Sequence, residues 1–169
     1  DEYELTPILW RGVSNTTYSF FRTIEGSKGV KVKDFVIKGS PTFTDHRQFG
    51  FCFADTEDGF MENVEIIDIN WFPEMLGKSQ VYALGYNLAI LRAKNIIIRD
   101  SYFNNGGYEC LGTEDTDNVL IDGCTTGNAA RVSIQFHRGT KNAKLINTTV
   151  DMPFSETDPA LVTLHGITE

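Results

Sequence analysis

Short runs of alternating apolar and polar residues recur along the chain, each opened by Asn or Gly and followed by a turn-forming residue. Within a run the apolar side chains are two positions apart, as in Ile96 and Ile98, which places them on one face of a β-strand. Asn, Asp and Gly favour turns and tolerate positive φ, so each strand should be short and end in a bend. The five runs occupy residues 29–34, 63–68, 95–100, 118–123 and 142–147.

The spacing of these runs predicts a repeat architecture. They end at positions 34, 68, 100, 123 and 147, so the steps are 34, 32, 23 and 24 residues. Further alternation between the runs, for example at Val132, Ile134 and Phe136, predicts a second strand in each repeat. One repeat cannot bury its apolar face alone, whereas stacked repeats bury a continuous core. We therefore expect an all-β, single-stranded parallel β-helix of about five turns.

The Asn residues that open the runs predict a stacked column at one corner of the β-helix. There each side-chain amide can bond to the corresponding group one turn away. The alternative is that these residues only suit the turns. The column would comprise Asn63, Asn95, Asn118 and Asn142.

Composition and charge narrow the possible partners. The 169 residues suffice for one domain, and 41% hydrophobic content with 12 Phe supports a packed interior. A net charge of −8 argues against a nucleic-acid surface and against anionic lipid. The negative net charge is compatible with binding of neutral sugars, whereas binding of an anionic glycan would need a local basic patch. The three Cys have no metal-ligand spacing, and no apolar run is long enough to predict a membrane span.

The two ends of the sequence suggest that residues 1–169 form one β-helix domain of a longer chain. The segment 161–168 has the pattern of a strand that precedes another run, but no sixth run follows. An open end would expose apolar surface and strand edges, which proteins normally cap. Residues 1–20 are expected to form an earlier turn or a cap.

Two segments, 93–107 and 139–149, resemble the coils of the pectate-lyase superfamily. That superfamily comprises right-handed parallel β-helices and includes polysaccharide lyases, polygalacturonase-type hydrolases and bacteriophage tailspike or appendage proteins. The resemblance implies a right-handed β-helix that engages a polysaccharide or cell-wall glycan. It also implies an extracellular or virion-surface setting and a possible homotrimer.

The segment 107–112, Gly-Tyr-Glu-Cys-Leu-Gly, resembles the Asp-Asp-Cys-Leu coil of polygalacturonase-type glycosidases. Tyr108 stands where that family has its first Asp, and Glu109 stands where it has the second. The family's Gly-His-Gly would fall near residues 128–130, where this chain has no His. Of that machinery, only Glu109 is retained as a candidate catalytic acid.

The repeat register then suggests residues that could act with Glu109. If Tyr108 and Cys110 point inward, Glu109 points outward, stacked near Ser133 with Arg131 one step away. Asp55 or Glu57, which follow a long insertion, could supply a second catalytic carboxylate. Candidate substrate-binding residues are Arg131, His137, Trp71 and Tyr108.

Each candidate has a structural alternative: solvated charge for Glu109 and His137, and loop packing for Trp71. No cofactor is expected. The acidic segment 114–117 is read as turn chemistry in preference to Ca²⁺ binding. Two functions remain open: a polysaccharide-degrading hydrolase or lyase, and a non-catalytic glycan-binding module or structural shaft of a phage appendage.

Overall fold

The computed structural model describes residues 18–39, 48–69, 85–151 and 162–164, and all regular structure in these ranges is β-strand. Trp71 and the N-terminal segment before residue 18 lie outside the described residues. The strands are β1 (Tyr18–Arg22), β2 (Lys31–Lys38), β3 (Gln48–Ala54), β4 (Phe60–Ile69), β5 (Gly85–Leu91), β6 (Lys94–Arg99), β7 (Tyr102–Gly106), β8 (Glu109–Glu114), β9 (Asp117–Asp122), β10 (Thr125–Thr126), β11 (Val132–Phe136), β12 (Lys144–Ile146), β13 (Thr149–Val150) and β14 (Val162–Leu164).

The strands form three faces, each built from parallel pairs between successive turns of the chain. The first face has the order β1-β3-β5-β8-β11-β14. The second face combines the first halves of β2 and β4 with β6, β9 and β12. The third face combines their second halves with β7, β10 and β13. This is the predicted parallel β-helix of about five turns, and β14 begins a sixth turn within the segment expected to do so.

Asn and Asp residues with positive φ form the corners between faces. At the entrance to the second face, the Asn95 amide donates to Asp58 at 2.8 Å, and the Asn118 amide donates to Asn95 at 2.9 Å. The φ angles of these three residues are 55°, 58° and 58°. The corners therefore combine a backbone that favours Asn, Asp and Gly with side-chain bonds between turns.

The predicted column is wrong for Asn63, whereas Asn142 lies in register with Asn118 as expected. Asn63 lies one corner further on, between the second and third faces, and donates to Asp34 at 2.7 Å. The Asn142 amide donates to Asp117 and not to its aligned neighbour Asn118, so the column continues in position but with a different partner. The run 63–68 forms part of the third face, because Phe60–Glu62 occupies the second face in that turn. Both faces carry the same alternation, so the pattern alone could not separate them.

The interior is a continuous apolar core whose fully buried members include Phe53, Phe103, Met61 and Ile98. On the first face the inward alternation is interrupted, because the consecutive residues Cys110 and Leu111 both lie in this core. Glu109 and Gly112, on either side of them, consequently face outward. A smaller buried cluster covers the outer side of this face and contains Phe49, Cys52, Ala54, Tyr86 and Ala89, with Tyr108 packed against it.

The three Cys should be unreactive in the folded protein. All are buried free thiols. Burial raises the pKa of Cys52 and of Cys110 to about 12, and that of Cys124 to about 11. Since the thiolate is the nucleophile, we expect negligible alkylation by iodoacetamide at neutral pH and full alkylation in denaturant. Rapid labelling of any of the three under native conditions, read by mass spectrometry, would contradict their placement.

Substitution of Asn95 should show how much a corner residue contributes to the free energy of unfolding. Asn95→Ala loses two inter-turn hydrogen bonds and places a Cβ at positive φ, so unfolding free energy should fall by about 1–3 kcal/mol. Asn95→Gly loses the same bonds but relieves the backbone, so it should cost less. Urea unfolding measures both variants. Equal losses would show that the left-handed backbone is not part of the contribution.

Candidate functional site

Three neighbouring strands of the first face position the candidate site on its outer surface. Glu109, the first residue of β8, lies between Tyr86 of β5 and Val132 of β11. The predicted register beside Ser133 is therefore wrong by one residue. Ser133 instead turns inward, where its hydroxyl donates to the carbonyls of Gly127 and Asp151.

The Glu109 side chain is 0% exposed, although it projects from the outer side of the sheet. Nε2 of His137 lies 3.3 Å from its Oε1 and 3.4 Å from its Oε2. Nη1 of Arg131 lies 3.9 Å from Oε1. A carboxylate removed from water requires such partners, because burying an uncompensated charge is costly. The structure thus excludes the reading of Glu109 as a solvated surface acid.

Arg131 is held in place by further contacts. Its Nη1 donates to the hydroxyl of Tyr108 and, at 3.3 Å, to Oε1 of Gln135. Its guanidinium carbon also lies 5.0 Å from the centre of the Tyr108 ring. Tyr108 is therefore part of the outer cluster, and the expectation that it points inward is wrong. Glu109, Arg131, His137 and Tyr108, all selected from the sequence, are brought together.

A depression of about 350 Å³ adjoins these four residues: His137 belongs to its wall, together with Tyr86 and Gly112. Its volume falls near the lower end of the range of small-molecule sites, about 300–1,000 Å³. Aromatic and charged side chains both contribute to its wall. They include Phe49, Tyr86, Glu114, His137 and Arg138.

His137 and Arg138, together with Glu114, are the charged or titratable side chains in the wall of the depression. His137 follows β11 directly, and 23% of its side chain is exposed beside the Glu109 carboxylate. The Arg138 side chain is 75% exposed and lies 3.4 Å from Glu114. A His that contacts a buried carboxylate through one ring nitrogen is oriented for proton transfer through the other.

The structure places Asp55 and Glu57 away from Glu109. Asp55 follows β3, two turns before β8, and its carboxylate contacts Arg92 at 2.7 Å and Arg22 at 3.5 Å. Glu57 contacts Lys28 at 2.6 Å. Two turns correspond to roughly 10 Å along the axis, and Asp55 also lies at the opposite strand end from Glu109. The structure does not bring either residue to Glu109 as a second carboxylate.

The hydrogen bond from Arg92 lowers the pKa of Asp55, with Arg22 adding to the effect. A carboxyl group with a depressed folded-state pKa stabilises the fold at pH values above its unfolded pKa, and this contribution is lost as the pH falls through the folded value. Asp55 is thus a carboxylate at a corner of the β-helix, paired with Arg92 and Arg22, and it remains charged at neutral pH.

Four residues of the site were not selected from the sequence: Tyr86, Gly112, Gln135 and Arg138. Gln135 alternates outward in β11 as the pattern predicts, whereas Tyr86 faces outward although Leu88, two residues later, lies in the main core. Their position next to Glu109 depends on the interrupted alternation at Cys110 and Leu111, for which the sequence carries no clear signal.

The described residues contain neither a candidate metal site nor a candidate membrane-spanning helix. No group of three or more His, Cys, Asp or Glu side chains there could hold a metal ion. In the same residues, no helix is long and apolar enough to cross a membrane.

Comparison with known proteins identifies the fold family. Curated proteins gave no match. Among solved structures, the chain was compared with trypsin-treated QnrB1, a plasmid-mediated fluoroquinolone resistance protein, at 13% identity over 82% of this chain and 91% of that chain. The TM-score of 0.13 is too low to support an argument from that structure. The family model described as "Right handed beta helix region" matches residues 23–152, most of the chain. The chain therefore belongs to the right-handed β-helix family.

Proposed function

We propose that this right-handed β-helix binds an acidic polysaccharide across the outer surface of its first face and cleaves it by β-elimination. The observation that carries the proposal is the contact between His137 and the buried carboxylate of Glu109 at the wall of a depression. Elimination from a uronate needs one base and a cation for the sugar carboxylate. His137 supplies the base, and the exposed Arg138 supplies the cation.

Hydrolysis fits the geometry less well because it needs two carboxyl groups about 5–9.5 Å apart. Glu114 also lines the depression, but it lies five residues beyond Glu109 on β8. At about 3.3 Å per residue, the two Cα atoms are separated by roughly 16–17 Å.

The reaction transfers one proton and needs no co-reactant. His137 removes the proton from the carbon that carries the uronate carboxylate, and a carbon–carbon double bond forms as the neighbouring glycosidic carbon–oxygen bond breaks. The imidazolium then returns the proton to the leaving oxygen. Glu109 orients the ring, while the largely buried Tyr86 and Phe49 form the apolar part of the wall of the depression.

A panel of uronate-containing and neutral polysaccharides tests this proposal. Elimination produces an unsaturated uronate that absorbs in the ultraviolet, whereas hydrolysis releases reducing ends without that absorbance. We expect ultraviolet-absorbing products from at least one uronate polymer. New reducing ends alone would contradict the assigned chemistry, and binding without cleavage would contradict catalysis.

The second candidate function is a non-catalytic glycan-binding module or shaft, for example in a phage appendage that is trimeric and displayed on the virion. The contacts of Arg131 with Tyr108, Gln135 and Glu109 favour it. Such a network can hold the side chains of a binding surface in place without taking part in a reaction. An extracellular or virion-surface location suits both candidates. Sedimentation of the purified protein tests the trimer.

A further inference from the structure

Gly112 lies directly beneath the Glu109 carboxylate. A Cβ added at Gly112 would lie 2.5 Å from Oε2 of Glu109 and 2.9 Å from Cε1 of Tyr86. Both distances are below those of ordinary van der Waals contact, so any side chain at this position would displace one or both neighbours. The missing side chain leaves the recess that the carboxylate occupies.

The backbone itself does not require glycine here. Gly112 lies within β8, and its φ is outside the left-handed region. The parallel register aligns it with Cys52 and Ala89 on the preceding turns and with Gln135 on the following turn. Three aligned positions with side chains show that this strand geometry accepts a Cβ. Glycine inside a strand is otherwise unfavourable, which indicates a close approach by another group.

We propose that Gly112 is a positioning residue whose recess holds the Glu109 carboxylate against Nε2 of His137. Without the recess, the carboxylate would be pushed away from the sheet and His137 would lose the group that orients it. The catalytic meaning of this role rests on the function proposed above. The positioning itself is a property of the unliganded protein and can be measured without a substrate.

The tautomer of His137 provides that measurement. When the ring is neutral and Nε2 faces a carboxylate, the proton should reside on Nε2 as the hydrogen-bond donor. Long-range ¹H–¹⁵N spectra at alkaline pH should therefore show the Nε2–H tautomer in the wild-type protein and a mixture in Gly112→Ala. Glu109→Ala gives the reference for complete loss, and Ala89→Gly, one turn away, should resemble the wild type. A Gly112→Ala spectrum that retains the Nε2–H tautomer would overturn the proposal.

A double-mutant cycle keeps the proposal testable if Gly112→Ala folds poorly. If the new methyl group acts mainly against the carboxylate, Gly112→Ala should lower the melting temperature much less in a Glu109→Ala background. An equal loss in both backgrounds would assign the clash to Tyr86 or the backbone and would overturn the role in positioning Glu109.

Kinetics then separates this inference from the proposed function. On a cleavable polysaccharide, Gly112→Ala should lower kcat by about 10–100-fold with little change in KM, as expected for a misplaced catalytic group. An unchanged kcat would overturn the positioning role in catalysis. If no polysaccharide is cleaved, the proposed enzyme activity fails, while the tautomer result still decides whether Gly112 positions Glu109.

Discussion

His137→Ala should lower the rate of polysaccharide cleavage by about 10²–10⁴-fold, the contribution typical of a general base. His137 is at the depression, and its Nε2 lies 3.3 Å from the buried Glu109 carboxylate. Its loss removes the proton acceptor but leaves Tyr86 and Arg138 in the wall. The effect should therefore fall on kcat more than on KM. The initial rate of ultraviolet-absorbing product formation measures both constants.

Lys144→Ala is the matched control for this variant. Lys144 is exposed on β12 of the second face, so its removal changes one cationic side chain away from the site. We expect wild-type kinetics for it. Full activity of a folded His137→Ala protein would exclude His137 as the base and would remove the main support for an elimination site on the first face.

Phe53→Ala should lower the free energy of unfolding by about 3–5 kcal/mol, as expected for a fully buried Phe truncated to Ala. Phe53 is 0% exposed and lies in the main core, with its ring 4.9 Å from that of Phe51. A Cβ at Gly59 would also meet its ring at 2.9 Å, so the site is tightly packed on that side. The resulting cavity lies in the interior shared by stacked turns.

The exposed Phe20 supplies the control substitution. Phe20 is 42% exposed on β1, so Phe20→Ala should cost well under half as much. Urea unfolding of the two variants gives the comparison. A cost for Phe53→Ala no greater than for Phe20→Ala would mean that the first face does not bury Phe53 as described.

Sequence reasoning predicted the fold because alternation with turn-forming residues is a local property. The parallel β-helix and an extra strand within 161–168 follow from it, and the structure has the β-helix and a strand at Val162–Leu164. The alternation could not tell which face a run occupies. Asn63 opens a run of the expected form, yet that run lies on the third face. Face assignment depends on how many residues each corner uses, which the alternation does not encode.

For the site, the sequence predicted which residues lie on neighbouring strands but not how their side chains pack. Glu109 and Arg131 could be compared because their turns are adjacent, and His137 could be placed outward from Phe136. The burial of Glu109 could not be predicted, because it depends on a long side chain that folds over Gly112. The proposed pairing with Asp55 failed geometrically because Arg22 and Arg92 hold that residue at a corner two turns away.

A crystal structure of His137→Ala with an oligosaccharide derived from the cleaved polymer tests the location of the proposed polysaccharide site most directly. We predict that the sugar lies on the outer surface of the first face, against Tyr86, with a uronate carboxylate at Arg138. An oligosaccharide bound on the second or third face would contradict this account, as would failure of a uronate oligosaccharide to bind the folded variant at all.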